Sequence, residues 1–250
     1  MQKRVLTLLA AVVVSAASGD STLAADILSP PRASPMPLVY DWSGFYLGGH
    51  IGYAWDQRDN DIYGPTGSFL ASGSTSGSSV LGGVQIGYNF MLSPNWVLGF
   101  EADYSGASGN MGGSASDANF GQRDNKIDGF GTARVRIGYA WSRLMAYGTG
   151  GFGWAHEMIT RTQVTGTVNQ AFPGTVEEAA GLAPGWAAGL GFEWGVQPNW
   201  TLRAEYLHLD LASQSFAFPA AGQSIQSGAR IDAFRFGVNY IFNVGGPRTY

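Results

Sequence analysis

The residues with the most chemistry in this chain are charged and spaced two apart. They are Glu101 with Asp103, Asp128, Arg134 with Arg136, Glu193, Arg203 with Glu205, and Arg235. Side chains two apart on an extended strand share a face, so each pair points the same way. Four arginines facing five carboxylates admit two readings. Guanidinium forks grip carboxylates bidentately, and buried charges are tolerated only when paired, so the set reads as an ion-pair network that occludes a closed wall. The same groups around an open lumen would line a narrow channel for small solutes.

The histidines carry weaker signals. His50 shares a face with Gly48 and Gly52, points inward, and is assigned a hydrogen bond to a neighbouring strand. His208, in "HLDLAS", lies on the apolar-face parity, without a serine at His-x-Ser spacing to act as nucleophile. His156 and Glu157 are adjacent, so on a strand they point oppositely and make a poor metal or haem pair. "GTGGFG" at 148–153 matches a dinucleotide fingerprint, but no helix follows to receive a phosphate. The sequence offers no catalytic, cofactor-binding or metal-binding set, and the chain is expected not to be an enzyme.

Strands must position these residues. Period-2 alternation runs through eight segments, roughly 44–56, 80–91, 96–105, 127–140, 144–155, 185–196, 200–209 and 231–242. Three connections are tight, at 93–96, 140–143 and 197–200. Four are long and rich in small polar residues, at about 57–79, 106–126, 156–184 and 210–230. Strict alternation of short and long connections predicts an all-β fold, an eight-stranded antiparallel up-and-down barrel. An internal echo supports eight strands: "GYNFMLSPNWVLGFEADY" (87–104) aligns without gaps to "GFEWGVQPNWTLRAEYLH" (191–208), and "IDGF" (127–130) returns as "IDAF" (231–234).

Parity gives one face the charges, His50 and many glycines. The other face holds aromatics and aliphatics such as Ile86, Phe100, Ile137 and Phe236, and is expected to hold no charge. Volume decides which face is outside. An eight-stranded interior is only just wide enough to be filled by side chains, so it takes glycines and interlocking charges but not the rings. An apolar exterior of that size exceeds the few hundred Å² that monomers expose to water, so the solvent there is lipid. A charge turned to lipid costs ~2–4 kcal/mol for Arg or Lys, and nine would rival the ~5–15 kcal/mol stability of a typical fold. The eight tryptophans, Trp42, Trp55, Trp96, Trp141, Trp154, Trp186, Trp194 and Trp200, stand near segment ends and are expected to form two interfacial girdles.

Composition agrees. Only 13% of the 250 residues are charged, against ~25% in soluble domains, and 37 are glycine. A net charge of −4 argues against nucleic acid as a partner, and there is no cysteine. Lys3 and Arg4, the apolar run 5–17 and the small residues near Ala24 and Ala25 read as a secretory signal peptide over 1–25. Ala17 is an alternative exit. A proline-rich linker follows at 26–41, then the barrel at 42–242 and a tail at 243–250.

"DWSGFYLGGHIGYAWD", "PNWVLGFEADYSG", "LMAYGTGGFGWA" and "FRFGVNYIF" together resemble the small outer-membrane β-barrel family of Gram-negative bacteria. The similarity covers about 42–250, is nearest the RopB-type immunogenic branch, and has the OmpA membrane domain as a distant architectural relative. It implies residence in the outer membrane, a role in envelope integrity and surface interaction, and lipid, lipopolysaccharide and the barrel-assembly machinery as partners. The family's assembly signal maps to Tyr240 and Phe242 at the end of the last strand, with Tyr250 as the competing terminal aromatic. Lipopolysaccharide contact is assigned to Arg58, Arg123, Lys126 and Arg161 on the long loops. Haem or host-surface binding by those loops is the further alternative.

Overall fold

The computed structural model describes residues 40–242 except 110, 118 and 120. The expected signal peptide, nearly all of the linker and the 243–250 tail lie outside the described residues. Nine strands follow in order: β1 (Gly44–Tyr63), β2 (Phe69–Met91), β3 (Trp96–Ala107), β4 (Ser114–Ser116), β5 (Gly121–Trp141), β6 (Leu144–Gln163), β7 (Val176–Gln197), β8 (Trp200–Phe218) and β9 (Gln223–Phe242). Eight of them form an antiparallel ring in sequence order. β1 pairs with β9, and β3 pairs with β5 from Trp96↔Tyr139 to Gly106↔Gly129, which closes it. The three-residue β4 pairs only with the far part of β5.

The strands outrun their expected ends on one side. Segments read as long loops are largely wall, and the connections there shrink to 64–68, 108–120, 164–175 and 219–222. Trp55 stands eleven residues into β1 (55 − 44). At about 3.3 Å per residue and a tilt near 40° that is roughly 28 Å, close to the ~25 Å apolar band of such barrels. β1 then runs eight more residues to Tyr63, lifting the wall roughly 20 Å beyond the aromatic level. Out there Gln57 and Asp59 on β1, and Ser74 and Ser76 on β2, face outward. Without an apolar outer face, the period-2 contrast fades although the strand persists.

A β-bulge at Ile127/Gly129 makes Asp128 the extra residue of β5. Ile127 and Phe130 both point inward across it and are fully buried. The interior is layered. At the turn end Tyr40, Trp42, Tyr46, Val97, Ala140, Met145, Tyr147 and Ile241 form an apolar plug. Ions follow, then an apolar belt around Leu81, Ile127, Phe130, Leu207, Leu209, Leu211 and Ile231. A second polar layer lies beyond the belt. Ile62, Ile159, Phe216, Phe218 and Ile225 pack at the rim.

The sequence echo has a physical cause. In the β2–β3 turn the Asn95 side chain donates to Ala140 O at 2.8 Å, and Ala140 N donates to Asn95 O at 2.7 Å. In the β7–β8 turn Asn199 makes the same pair with Ile241, both bonds 2.7 Å. Each Pro-Asn-Trp turn thus caps the end of the next strand, and Trp96 and Trp200 lie on Tyr139 and Tyr240 at 5.3 and 5.1 Å. Losing one buried-end hydrogen bond costs ~1 kcal/mol. Asn95→Ala and Asn199→Ala should each lower stability by about that amount. The clamps sit half a ring apart, so their effects should add in the double variant, as read by denaturant unfolding in detergent.

Candidate functional site

The site that these strands assemble is the ion layer inside the ring. Glu101 directly opposes Arg134, Glu193 opposes Arg203, and Glu205 opposes Arg235 across adjacent strands. The contacts then leave the wall and cross the lumen. Arg203 on β8 reaches Glu101 on β3, four strands away around the ring, with Nη1–Oε2 at 2.5 Å. Arg134 binds Glu101 at 2.6 Å, Asp103 at 2.9 Å and Glu205 at 3.0 Å. Arg235 binds Asp103 at 2.6 Å and also Glu205. Glu205 meets a third guanidinium, Arg203 at 2.7 Å, and Glu101 likewise meets a third, Arg136 at 3.7 Å. Arg136 binds Glu193 at 2.5 Å and lies 4.3 Å from the Tyr147 ring centre.

Neutral groups satisfy the remaining oxygens. Tyr46 donates to Glu101 at 2.6 Å, Thr132 to Asp103 at 2.5 Å, and Thr201 and Asn239 to Glu193 at 2.5 and 2.9 Å. His50 joins the layer's edge through Gln85 at 2.5 Å on β2 and Ser105 at 2.8 Å on β3. Glycines make the room. A Cβ on Gly83 would come within 2.6 Å of His50 Nε2, and one on Gly191 within 2.6 Å of the Tyr147 hydroxyl.

Asp128 does not belong to this set. The bulge turns it to the outside, where it pairs with Lys126 at 2.7 Å and approaches His156 at 3.6 Å. The layer therefore holds four arginines and four carboxylates and is formally neutral. The signal was in the echo: Asp232, the counterpart of Asp128, shares its parity with outward Phe234 and Phe236. Asp232 is itself on the outer wall, bonded to His208 at 2.7 Å and Tyr206 at 2.5 Å, so that face is not free of charge. Both acids sit at the aromatic level, next to the polar interface.

Trp42 is the second correction. It is fully buried in the plug, with Nε1 donating to Ser142 O at 3.3 Å, because even positions of β1 point inward and the turn end needs filling. Tyr40 beside it donates to Gln197 O at 3.0 Å, and burial pushes its phenol well above the ordinary range. The other tryptophans face outward. Trp96, Trp141, Trp194 and Trp200 ring the turn end, while Trp55, Trp154 and Trp186 stand at the opposite level. Tyr240 and Phe242 also face outward at the end of β9, with Phe242 on Phe45 at 5.6 Å.

The second polar layer was not expected. Arg58, Arg123 and Arg161 are buried inside the extended wall rather than displayed on loops, and of the four proposed lipopolysaccharide contacts only Lys126 is exposed. Arg161 binds Asp117, and Arg58 lies 3.6 Å from Glu157. Met111, Gly112 and Asp117, from the β3–β5 connection, enter this layer. Gly112 N donates to Asp56 at 3.0 Å, and Met111 packs on the apolar belt. His156 and Glu157 point to opposite sides of the wall, outside and inside respectively.

The outer surface of the ring is apolar where water would demand otherwise. Ile51, Val84, Leu190 and Phe236 leave 69, 61, 61 and 64% of their surface uncovered. Residues 6–242 match the outer membrane protein beta-barrel domain. The chain belongs to that family. This outer-membrane barrel resembles the 31 kDa outer-membrane immunogenic protein of Brucella melitensis, 33% identical over 253 residues, covering 92% of this chain and 97% of the relative. The 22 kDa outer membrane protein of Rhizobium leguminosarum bv. viciae is 28% identical over 185 residues, covering 74% and 72%. OprG of Pseudomonas aeruginosa shares the fold at TM-score 0.50 and 13% identity, over 81% of this chain and 97% of that one. The barrel resides in the cell outer membrane, and its uncovered aliphatic and aromatic face meets lipid.

Removing one partner of a buried ion pair strands the other, at ~3–5 kcal/mol. Glu205→Ala leaves three arginines short of a carboxylate and should cost at least that much. Asp128→Ala removes a half-exposed pair and should stay within ~1 kcal/mol of wild type. Urea unfolding of both variants in detergent micelles separates a lumen position from an outer-wall one.

Proposed function

We propose that this outer-membrane barrel is a sealed, surface-displayed envelope protein whose lumen does not conduct. The observation that carries the reading is the neutral layer of four arginines and four carboxylates, tied together across the lumen. Four guanidinium groups held by four carboxylates leave no unbalanced field to attract an ion, and their side chains occupy the path a solute would take. The Tyr40–Trp42 plug closes the same path at the turn end. The immunogenic relative in Brucella melitensis supports surface display of the loop end. The termini and short turns are then periplasmic.

The same reading gives the chain no catalytic role. The Ser105–His50–Gln85 contacts have the order of nucleophile, base and orienter, but Ser105 is fully buried and shares Arg235 with the ion layer. A substrate has no route to it. Lipopolysaccharide contact falls to exposed cations of the outer wall, Lys126 and Arg230. Tyr240 and Phe242, outward at the end of the closing strand, are the recognition signal for the barrel-assembly machinery.

Planar-bilayer recording tests the seal. Refolded wild-type protein should show no sustained single-channel steps, whereas the Trp42→Ala/Glu205→Ala double variant, which opens both layers, should conduct. Reproducible steps from the wild type would establish the narrow-channel alternative instead. Deleting the gene should sensitise cells to detergents and to bile-type amphiphiles.

A further inference from the structure

The second polar layer divides its charge unevenly. Asp56, Glu157 and Arg58 gather on one side: Arg58 lies 3.6 Å from Glu157, and Asp56 has no cation within salt-bridge distance among the described residues. Arg123 and Arg161 gather on the other, directly opposed on β5 and β6, with Asp117 as the one carboxylate they share. Asp117 is engaged by Arg161. Two carboxylates thus share one arginine while two arginines share one carboxylate.

Arg123 is the unusual member. It is 1% exposed, has no ion pair among the described residues, and its Nε and Nη1 lack any hydrogen-bond partner there. The charges that bear on it are Asp117, already taken, and a second cation, Arg58. Arg161 Nη1 and Gln223 Nε2 are further buried donors without partners. An arginine cannot shed its charge, and a buried guanidinium without a counter-charge is among the costliest features a fold can keep. Donors from β5, β6 and β9 converge on a region bounded by the apolar belt below and the Phe216–Phe218 rim above.

We infer that this polar layer binds a small inorganic anion of the halide class against Arg123. The anion supplies the negative charge that the Arg123–Arg161 side lacks, and it accepts the orphaned guanidinium hydrogens. On the opposite side, where Arg58 is the one arginine beside Glu157, one of the two buried carboxyls of Asp56 and Glu157 takes up a proton, which keeps the layer neutral with the anion in place. Gly112 on Asp56 and Asp117 on Arg161 tie the two halves together.

Two measurements on the full-length mature barrel test this. Crystals grown in bromide should give an anomalous peak at the Arg123 guanidinium, and water alone there would overturn the inference. In detergent, raising chloride tenfold above its dissociation constant should raise the folded-to-unfolded ratio nearly tenfold, relative to gluconate at matched ionic strength. Arg123→Met should abolish that dependence, and Arg143→Gln, an exposed cation at the turn end, should keep it. Equal chloride dependence in Arg123→Met and wild type would sink the proposal. If Arg123→Met does not refold, the bromide peak decides.

Discussion

The structure depends on one constraint: an eight-stranded ring has an interior about one side chain deep, so whatever points inward must meet the far wall. Lipid outside forbids moving charge to the other face, and the ring has no edge through which charge can escape to water. Inward charges must therefore be answered inside the ring, on an adjacent strand as in Glu101–Arg134 or across the lumen. Arg203 reaching Glu101 from the opposite strand shows how narrow that space is. Glu205, touched by three guanidinium groups, is where adjacent-strand and cross-lumen pairs join.

Layering follows from that constraint. Charged groups in so narrow a space are held best among opposite charges, so ions collect at two heights and apolar side chains fill the rest. The belt around Leu207, Leu209 and Ile231 separates the layers. Glycine is the complement of the large inward residues, since Tyr147 and His50 occupy volume that a methyl group on Gly191 or Gly83 would claim. The layers differ in kind. The inner one balances four charges against four with nearly every oxygen bonded, while the outer one leaves several buried donors and acceptors open.

Much of the fold was legible in the residues because two solvents imprint opposite demands on alternate positions. Where lipid lies outside, as at Phe234, Phe236 and Val238, period-2 contrast is strong and the strand is unmistakable. Above the aromatic level the outer face becomes polar, the inner face mixes Ile62 with Arg58 and Asn60, and the contrast vanishes. That is why the upper wall reads as loop, and why Arg58, Arg123 and Arg161 read as exposed. Asp128 was misplaced for a different reason: one inserted residue reverses parity, and parity counting cannot detect an insertion. Its echo at Asp232 held the needed hint. Trp42 lies just ahead of β1 and continues its inward even-numbered parity, which here overrides tryptophan's preference for the interface.

The sequence by itself determined the class, the strand number, the membrane and eight of the nine charges assigned to the interior. Those follow from local alternation and from the energetics of charge in hydrocarbon, which act residue by residue. Only the tertiary structure decided who pairs with whom, that Glu101 and Glu205 each meet three arginines, that Met111, Gly112 and Asp117 fold inward, and that Arg123 has no ion pair among the described residues. Such outcomes depend on register and on distances across the lumen. Residues a hundred positions apart become neighbours only when the ring closes, and no local pattern records that closure.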